Sequence, residues 1–200
     1  MGSTVSTTMT WPAATDVLSG VKSYLVQRSL DGAAWVTLIS ATTTRSYKRT
    51  MSFGTPTRFR LYATDNAGNR GTGATGPTVT ATLRQDVTSA TTSYTGKWAN
   101  VTLSSASGGR LHRSTRAGST VTFKTTARAI AVVARRGPLN GKAKVYIDGV
   151  YKSTIDTHRS TYQSRVVVFN TSWASSATHS VKVVVSGGAR VDIDAFVFLR

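Results

Sequence analysis

The sequence predicts an all-β protein made of two β-sandwiches in tandem. The 200 residues include no Glu, so a residue that commonly fills solvent-facing helix positions is missing, while Thr, Ser and Val are abundant. No window of about 11 residues carries a helical stripe of apolar side chains. Short alternating runs are instead separated by Gly, Pro, Asn and Asp every 8 to 12 residues or so, which is typical of a β-sandwich.

The first predicted sandwich covers residues 1–84. Asp31-Gly32 is a turn signal between one run that contains Tyr24 and Val26 and another that contains Trp35. Apolar and polar side chains then alternate over residues 58–63, as in a strand with one buried face.

The stretches TWPAATDVLSGVKSYLVQRSLDGAAWVTL and TPTRFRLYATDNAGNRG resemble bacterial fibronectin type III domains. The resemblance covers most of residues 4–84 and implies that Trp11 and the run Tyr24-x-Val26 lie in the core. The segment before Trp11 departs from the family, which usually begins upstream with a proline, so the first strand is expected to be short or missing. The resemblance implies a spacer rather than a ligand-binding domain.

The second predicted sandwich covers residues 85–200 and reads as a jelly roll of about eight antiparallel strands. Seven of its strands are predicted at 120–124, 129–135, 143–147, 150–155, 164–169, 179–185 and 190–199.

Several motifs of this half resemble galactose-binding-like jelly rolls of bacterial extracellular proteins, often classed with carbohydrate-binding modules. They are YTGKW, GSTVTF, GKAKVYIDG, THSVKVVV and the terminal VDIDAFVFL. The resemblance spans nearly the whole second half and implies a non-catalytic binding module. These motifs are specific for the fold and weak for the ligand, so the function must be argued from a site.

The chain is strongly basic, with a net charge of +17 and a pI of about 11.1. Residues 85–200 carry 16 of the 25 Lys and Arg and five of the eight Asp. Such a charge attracts polyanions in a salt-dependent way, including acidic polysaccharides and, without sequence preference, nucleic acid. The alternative is that a charge spread so evenly only keeps the protein soluble.

Other features narrow the class of protein. The absence of Cys excludes disulfides and thiolate metal sites, and no run of about 18 apolar residues predicts a membrane span. The N-terminal segment is not a signal peptide, so an extracellular protein would be a fragment or leave the cell by another route. The three His lack metal-ligand spacing and no G-x-S-x-G motif occurs, so we expect no enzyme.

The hairpin KVYIDGVYKSTID holds the main candidate site. A two-residue turn at Asp148-Gly149 places Tyr146 opposite Tyr151 on the outer face of a sheet. Two adjacent aromatic rings form a surface on which a sugar ring can lie, and the alternative is that they only stabilise the sheet.

Four further residues are candidate ligand contacts. Trp173 is predicted in a polar loop, where a large aromatic has little local reason to be buried. Arg110, Arg113 and Arg116 form a basic loop whose guanidinium groups suit the carboxylate or sulfate of an acidic sugar, or phosphate, and Arg135, Arg136 and Lys142 extend it. The alternative for Trp173 is that it packs over an edge of the core, and the alternative for the arginines is that they are solvated.

Asp192 and Asp194 are weaker candidates for a metal site. Both are expected to leave the last strand on one side, in line with Phe196, where they could bind a structural calcium ion. The alternative is that they pair with Arg or accept backbone hydrogen bonds, and no other cofactor is expected.

These observations predict a non-catalytic extracellular pair of modules whose jelly roll adheres to an anionic polysaccharide of a cell surface or of the environment. The rival is a structural protein of a surface layer, filament or virion that uses its sandwiches for protein–protein contacts.

Overall fold

The computed structural model describes residues 3–85 and 91–200, and it confirms the all-β prediction. Among these residues the only helical segment is a 3₁₀ turn at Ser107–Gly109. The described residues include no helix with the length and apolarity that crossing a bilayer requires. The chain forms two compact units that divide between residues 81 and 82, whereas the sequence predicts a junction at residues 84–85.

The first unit contains two antiparallel sheets. One pairs β1 with β4, and the other has the strand order β3-β2-β5-β6. The first strand, predicted to be short or missing, spans seven residues and pairs with β4 along its whole length. The strands are β1 (Thr4–Thr10), β2 (Val21–Leu30), β3 (Val36–Thr42), β4 (Ser46–Ser52), β5 (Thr57–Asp65) and β6 (Ala74–Thr75).

Tyr24 lies in the core of this unit. It is buried together with Val26, and the ring of Trp11 meets its edge at a centroid distance of 5.9 Å. Its hydroxyl accepts a hydrogen bond from the backbone N–H of Ala14 at 2.9 Å, so the polar end of the buried ring is satisfied.

The second unit is built on two unusually long strands. They are β11 (Thr120–Arg136) and β14 (Gln163–Val185). The other strands, the first of which begins at the division between the units, are β7 (Ala81–Gln85), β8 (Thr92–Thr95), β9 (Ala99–Thr102), β10 (Arg110–Ser114), β12 (Lys142–Ile147), β13 (Val150–Asp156) and β15 (Val191–Leu199).

The long strands belong to both leaves of the sandwich. The first leaf contains β9, β10, β15, the second half of β11 and the first half of β14. The second leaf contains β8, the first half of β11, the second half of β14, β12 and β13. The prediction of separate strands at 120–124 and 129–135, and at 164–169 and 179–185, is wrong. Register shifts in the β11–β14 pairing let both strands bend without ending.

The core fills the space between the leaves. Phe123 and Phe196 are fully buried and stack with ring centroids 4.8 Å apart, and Phe198 lies 5.5 Å from Phe123. A register shift in β15 lets both Ile193 and Phe196 reach this core. The expectation that Asp194 is in line with Phe196 is therefore wrong, because the bulge breaks the alternation between them.

Candidate functional site

The β12–β13 hairpin has the geometry that the sequence predicts. Asp148 and Gly149 both have positive φ, at 51° and 82°, and Tyr146 is paired with Tyr151. The Asp148 carboxylate accepts a hydrogen bond from the backbone N–H of Ser180 at 2.7 Å, and its other oxygen lies 2.7 Å from Nδ1 of His179. These bonds tie the turn to β14.

The same bonds set the charge of the turn. Partial burial raises the pKa of Asp148, but the bonds from His179 and from the Ser180 N–H outweigh it, so the pKa lies below its ordinary value. Asp148 is therefore held ionised beside the imidazole, and the turn keeps its position on β14.

The two tyrosine rings meet edge to face. Their centroids are 5.7 Å apart and their planes are inclined at 67°. Tyr151 is 51% exposed, and its hydroxyl lies 2.9 Å from Oγ1 of Thr154. The pair offers a stepped aromatic surface instead of one flat platform, and the described residues leave it open to solvent.

The tyrosines end a row of side chains that crosses the whole second leaf. Cross-strand pairing aligns Ser93, Thr122, Lys182, Tyr146 and Tyr151 in this order. The strand neighbours of Thr122, Lys182 and Tyr146 belong to the core, so these three side chains point outward, and Tyr151 is itself exposed. At about 4.8 Å between strands the row is about 19 Å long, which is enough for an extended ligand.

Lysines surround the tyrosines on this surface. Lys182 Nζ lies 6.0 Å from the centroid of Tyr146, and Asp156 is the only acidic residue in the strand segments of the leaf. The surface is cationic and partly aromatic. We call it the tyrosine–lysine face, made of Tyr146, Tyr151, Lys124, Lys144 and Lys182.

Trp173 lies in β14, so the prediction of a loop at this residue is wrong. Residues 173–176 have no partner in β11, because Ala127 pairs with Ala177 and Ala129 with Ser172. The half-buried Trp173 packs against the core, and its ring stacks on His179 at 3.5 Å with an angle of 4° between planes. One face of the ring is therefore occupied by the protein itself.

The three arginines of the predicted basic loop do not form one surface. Arg110 and Arg113 lie three residues apart in β10 and so leave opposite faces of the strand, and Arg116 is exposed in the following turn. Arg113 makes a two-pronged ion pair with Asp192, at 2.7 and 3.1 Å. All three belong to the first leaf or its turns, whereas the tyrosine–lysine face belongs to the second leaf.

The acidic pair of β15 is buried. Asp192 is bonded to Arg113, and the Asp192 hydrogen bond raises the pKa of that guanidinium. Asp194 accepts the backbone N–H of Ser107 at 2.7 Å. No group of three or more potential metal ligands occurs within residues 3–85 and 91–200. Calcium binding by Asp192 and Asp194 stays a prediction, and the contacts to Arg113 and Ser107 are those of a structural pair.

Asp194 gives the stability of this unit a pH dependence. Burial raises the pKa of its carboxyl above the ordinary value, although the Ser107 N–H bonds to it. The folded state therefore holds the proton more tightly than the unfolded chain, and stability falls as pH rises from the ordinary Asp range through the raised value.

We expect the Asp194→Asn variant to be more stable than the wild type at pH 7 and about equally stable near pH 3, where the carboxyl is neutral in both states. Urea unfolding at both pH values measures the difference. If the variant is less stable than the wild type by the same amount at both pH values, the carboxyl of Asp194 acts through its shape and not through its charge.

A second cationic group, which sequence reasoning missed, surrounds Tyr162. The Arg135 guanidinium lies 3.8 Å from the centroid of its ring, and Arg190 Nη2 donates to its hydroxyl at 3.1 Å. The buried side chain of Asn140 accepts a hydrogen bond from Arg190 Nε at 3.2 Å and donates one to the backbone carbonyl of Arg135 at 3.1 Å. Arg190 Nε also lies 3.5 Å from Asp192.

Arg135 lies near the end of β11 and Asn140 in the connection that follows it, whereas Tyr162 and Arg190 immediately precede β14 and β15, so no spacing in the sequence brings them together. The sequence predicts Arg113 and Arg135 as parts of a basic surface, but it gives no sign of Arg190 or Tyr162. We call Arg113, Arg135, Arg190 and Tyr162 the arginine–tyrosine cluster.

No family model matches the sequence. A curated relative, "A type blood alpha-D-galactosamine galactosaminidase" of Flavonifractor plautii, is 30% identical over 105 residues, which are 52% of this chain and 10% of that protein. The chain thus spans about a tenth of the length of this relative.

Solved structures with a similar arrangement include two small modules and one enzyme. CBM35 from Cellvibrio japonicus Abf62 aligns with a TM-score of 0.46 at 14% identity over 60% of this chain and 96% of its own. A family 35 carbohydrate binding module from an environmental isolate aligns with a TM-score of 0.46 at 16% identity, over 59% of this chain and 95% of its own. An exo-beta-1,3-galactanase from Phanerochaete chrysosporium aligns with a TM-score of 0.45 at 16% identity, over 70% of this chain and 33% of its own.

Proposed function

We propose that the second unit is a non-catalytic carbohydrate-binding module that attaches an extracellular protein to an anionic polysaccharide. The tyrosine–lysine face carries this proposal, because it combines exposed aromatic rings with lysines on one open sheet surface. The first unit, which resembles a fibronectin type III domain in sequence, serves as a spacer.

The face suits an extended acidic sugar chain for two physical reasons. The exposed ring of Tyr151 offers an apolar surface with a polar edge, on which the C–H face of a sugar can pack. Lys144 and Lys182 are exposed on the same face and attract carboxylate or sulfate groups along the chain. An open row about 19 Å long fits a linear ligand better than a single small molecule.

The relative from Flavonifractor plautii supports a carbohydrate ligand, but not its acidic character. Its name includes galactosamine, and about half of this chain is similar to a tenth of it. A short shared segment in a much longer enzyme is what an accessory binding module would give.

Retention on immobilised polysaccharides tests the proposal. At about 50 mM and about 500 mM NaCl the purified chain is applied to polygalacturonic acid, dextran sulfate, neutral dextran and double-stranded DNA. We expect one acidic polysaccharide to retain it at both salt concentrations. The Tyr146→Ala/Tyr151→Ala variant is expected to bind that polysaccharide about tenfold more weakly, a loss of about 1.4 kcal/mol.

Lysine variants separate the face from the general charge. Lys182→Gln removes a charge beside Tyr146, and Lys22→Gln removes an exposed lysine of the first unit. We expect only Lys182→Gln to weaken retention. Equal retention by DNA and by both acidic polymers, lost at high salt and unchanged in the tyrosine variant, would refute the proposal and leave only nonspecific attraction.

A second candidate function is assembly with another protein. Val17 and Leu18 are adjacent and 96% exposed, in a connection that the Asp16 carboxylate holds through the Leu18 and Ser19 N–H groups. Exposed apolar side chains that are grouped on a protein surface can mark a protein contact. This hypothesis predicts that no polysaccharide retains the chain at about 500 mM NaCl, so the retention experiment separates the two functions.

A further inference from the structure

We propose that Arg135 and Arg190, held by Tyr162, bind one oxyanion, a carboxylate or sulfate ester, of an acidic sugar. The sugar is the ligand class of the proposed function, on which this inference rests. The site is separate from the tyrosine–lysine face, because its residues lie at the ends of strands of the first leaf.

The cluster has more positive charge than its carboxylate can neutralise. Asp192 is fully buried and accepts hydrogen bonds from Nε and Nη2 of Arg113. Its contact with Arg190 is longer, at 3.5 Å. Arg135 has no carboxylate partner among the described residues. An added anion would therefore relieve repulsion between Arg135 and Arg190 as well as pair with them.

Arg135 also has unused hydrogen-bond donors. Its Nε is buried and has no hydrogen-bond partner within the described parts of the chain. An acceptor on a ligand that reached this donor would satisfy it. The planar guanidinium matches the two oxygens of a carboxylate or sulfate.

The two arginines are held in place before any ligand arrives. Tyr162 lies against Gly137, where an added Cβ would overlap the ring carbons Cδ1 and Cε1. The ring therefore stays close to the backbone and supports the Arg135 guanidinium from one side. Asn140 fixes the Arg190 Nε through its side-chain oxygen.

This arrangement selects a compact anion instead of an apolar sugar face. Tyr162 is 48% exposed, but one face of its ring contacts Arg135 and its hydroxyl is bonded to Arg190. The ring therefore acts as a support for the guanidinium groups, and the ligand is recognised through charge-assisted hydrogen bonds.

Isothermal titration calorimetry at about 50 mM NaCl tests the site with four probes: glucuronic acid, glucose 6-sulfate, inorganic sulfate and neutral glucose. We expect at least one of the two acidic sugars to bind and glucose not to bind. Comparison of glucuronic acid with glucose 6-sulfate identifies the preferred anion, and inorganic sulfate shows whether the sugar contributes.

Two variants locate the site, and a third is the matched control. Arg135→Gln removes the unpaired guanidinium, and Gly137→Ala displaces Tyr162 without changing any charge. Each is expected to weaken binding about tenfold or more. Arg58→Gln removes an exposed arginine of the first unit and is expected to bind like the wild type. Thermal unfolding of each variant shows that the fold is intact.

If Arg135→Gln and Gly137→Ala both bind the acidic sugars with the affinity of the wild type, the inference is wrong. It is also wrong if glucose binds the wild type as tightly as the acidic sugars do. The Tyr146→Ala/Tyr151→Ala variant separates this inference from the proposed function. If it loses polysaccharide retention but binds the acidic sugars, both proposals stand. If polysaccharides never retain the wild type while the acidic sugars bind through Arg135, only the proposed function fails.

Discussion

Phe196→Ala is expected to lower the free energy of unfolding of the second unit by about 4 kcal/mol. Phe196 is fully buried and stacks on Phe123 at 4.8 Å, so the substitution removes a large apolar side chain and leaves a cavity between the leaves. Small domains are stable by only about 5–15 kcal/mol, so this loss is a large share of the total. Urea unfolding with calorimetry measures it.

Phe196→Leu is the matched control, because it keeps much of the buried volume and is expected to cost clearly less. Tyr151→Ala is a second control, since the half-exposed Tyr151 lies outside the core. A loss below about 1 kcal/mol in Phe196→Ala would mean that the stacked pair is not the centre of the core.

Arg113→Met is expected to destabilise the second unit by about 3 kcal/mol. It leaves the fully buried Asp192 with Arg190 at 3.5 Å as its remaining ionic partner. The cost comes from an uncompensated buried carboxylate, whereas the ion pair itself contributes little compared with apolar residues of similar size. Urea unfolding at pH 7 measures the change.

The Arg113→Met/Asp192→Leu double variant distinguishes these causes. It removes the buried charge together with its partner, and we expect it to recover more than half of the stability that Arg113→Met loses. A double variant that is less stable than Arg113→Met would contradict this explanation and show that the ion pair contributes net stability of its own.

Local patterns in the sequence predict the hairpin well. Asp148-Gly149 fixes a two-residue turn, and the pairing of Tyr146 with Tyr151 then follows from the chain. The all-β composition likewise predicts the fold class. These predictions depend only on residues close together in the sequence, where turn chemistry and alternation decide the structure.

Features that depend on bulges or on distant residues could not be predicted in this way. The bulge in β15 places Ile193 and Phe196 in one core, which strict alternation excludes. The polar neighbours of Trp173 predict a loop, yet these residues belong to the bent strand β14. Tyr162 meets Arg135 and Arg190 only through tertiary folding, so the arginine–tyrosine cluster has no local signal.

The long strands β11 and β14 couple the two leaves thermodynamically. Because each strand runs through both leaves, neither leaf can unfold while the other keeps its hydrogen-bonded neighbours. The tyrosine–lysine face and the arginine–tyrosine cluster therefore depend on one shared unfolding equilibrium. A ligand bound to the folded form at either place protects both, so occupancy of one surface extends the lifetime of the other.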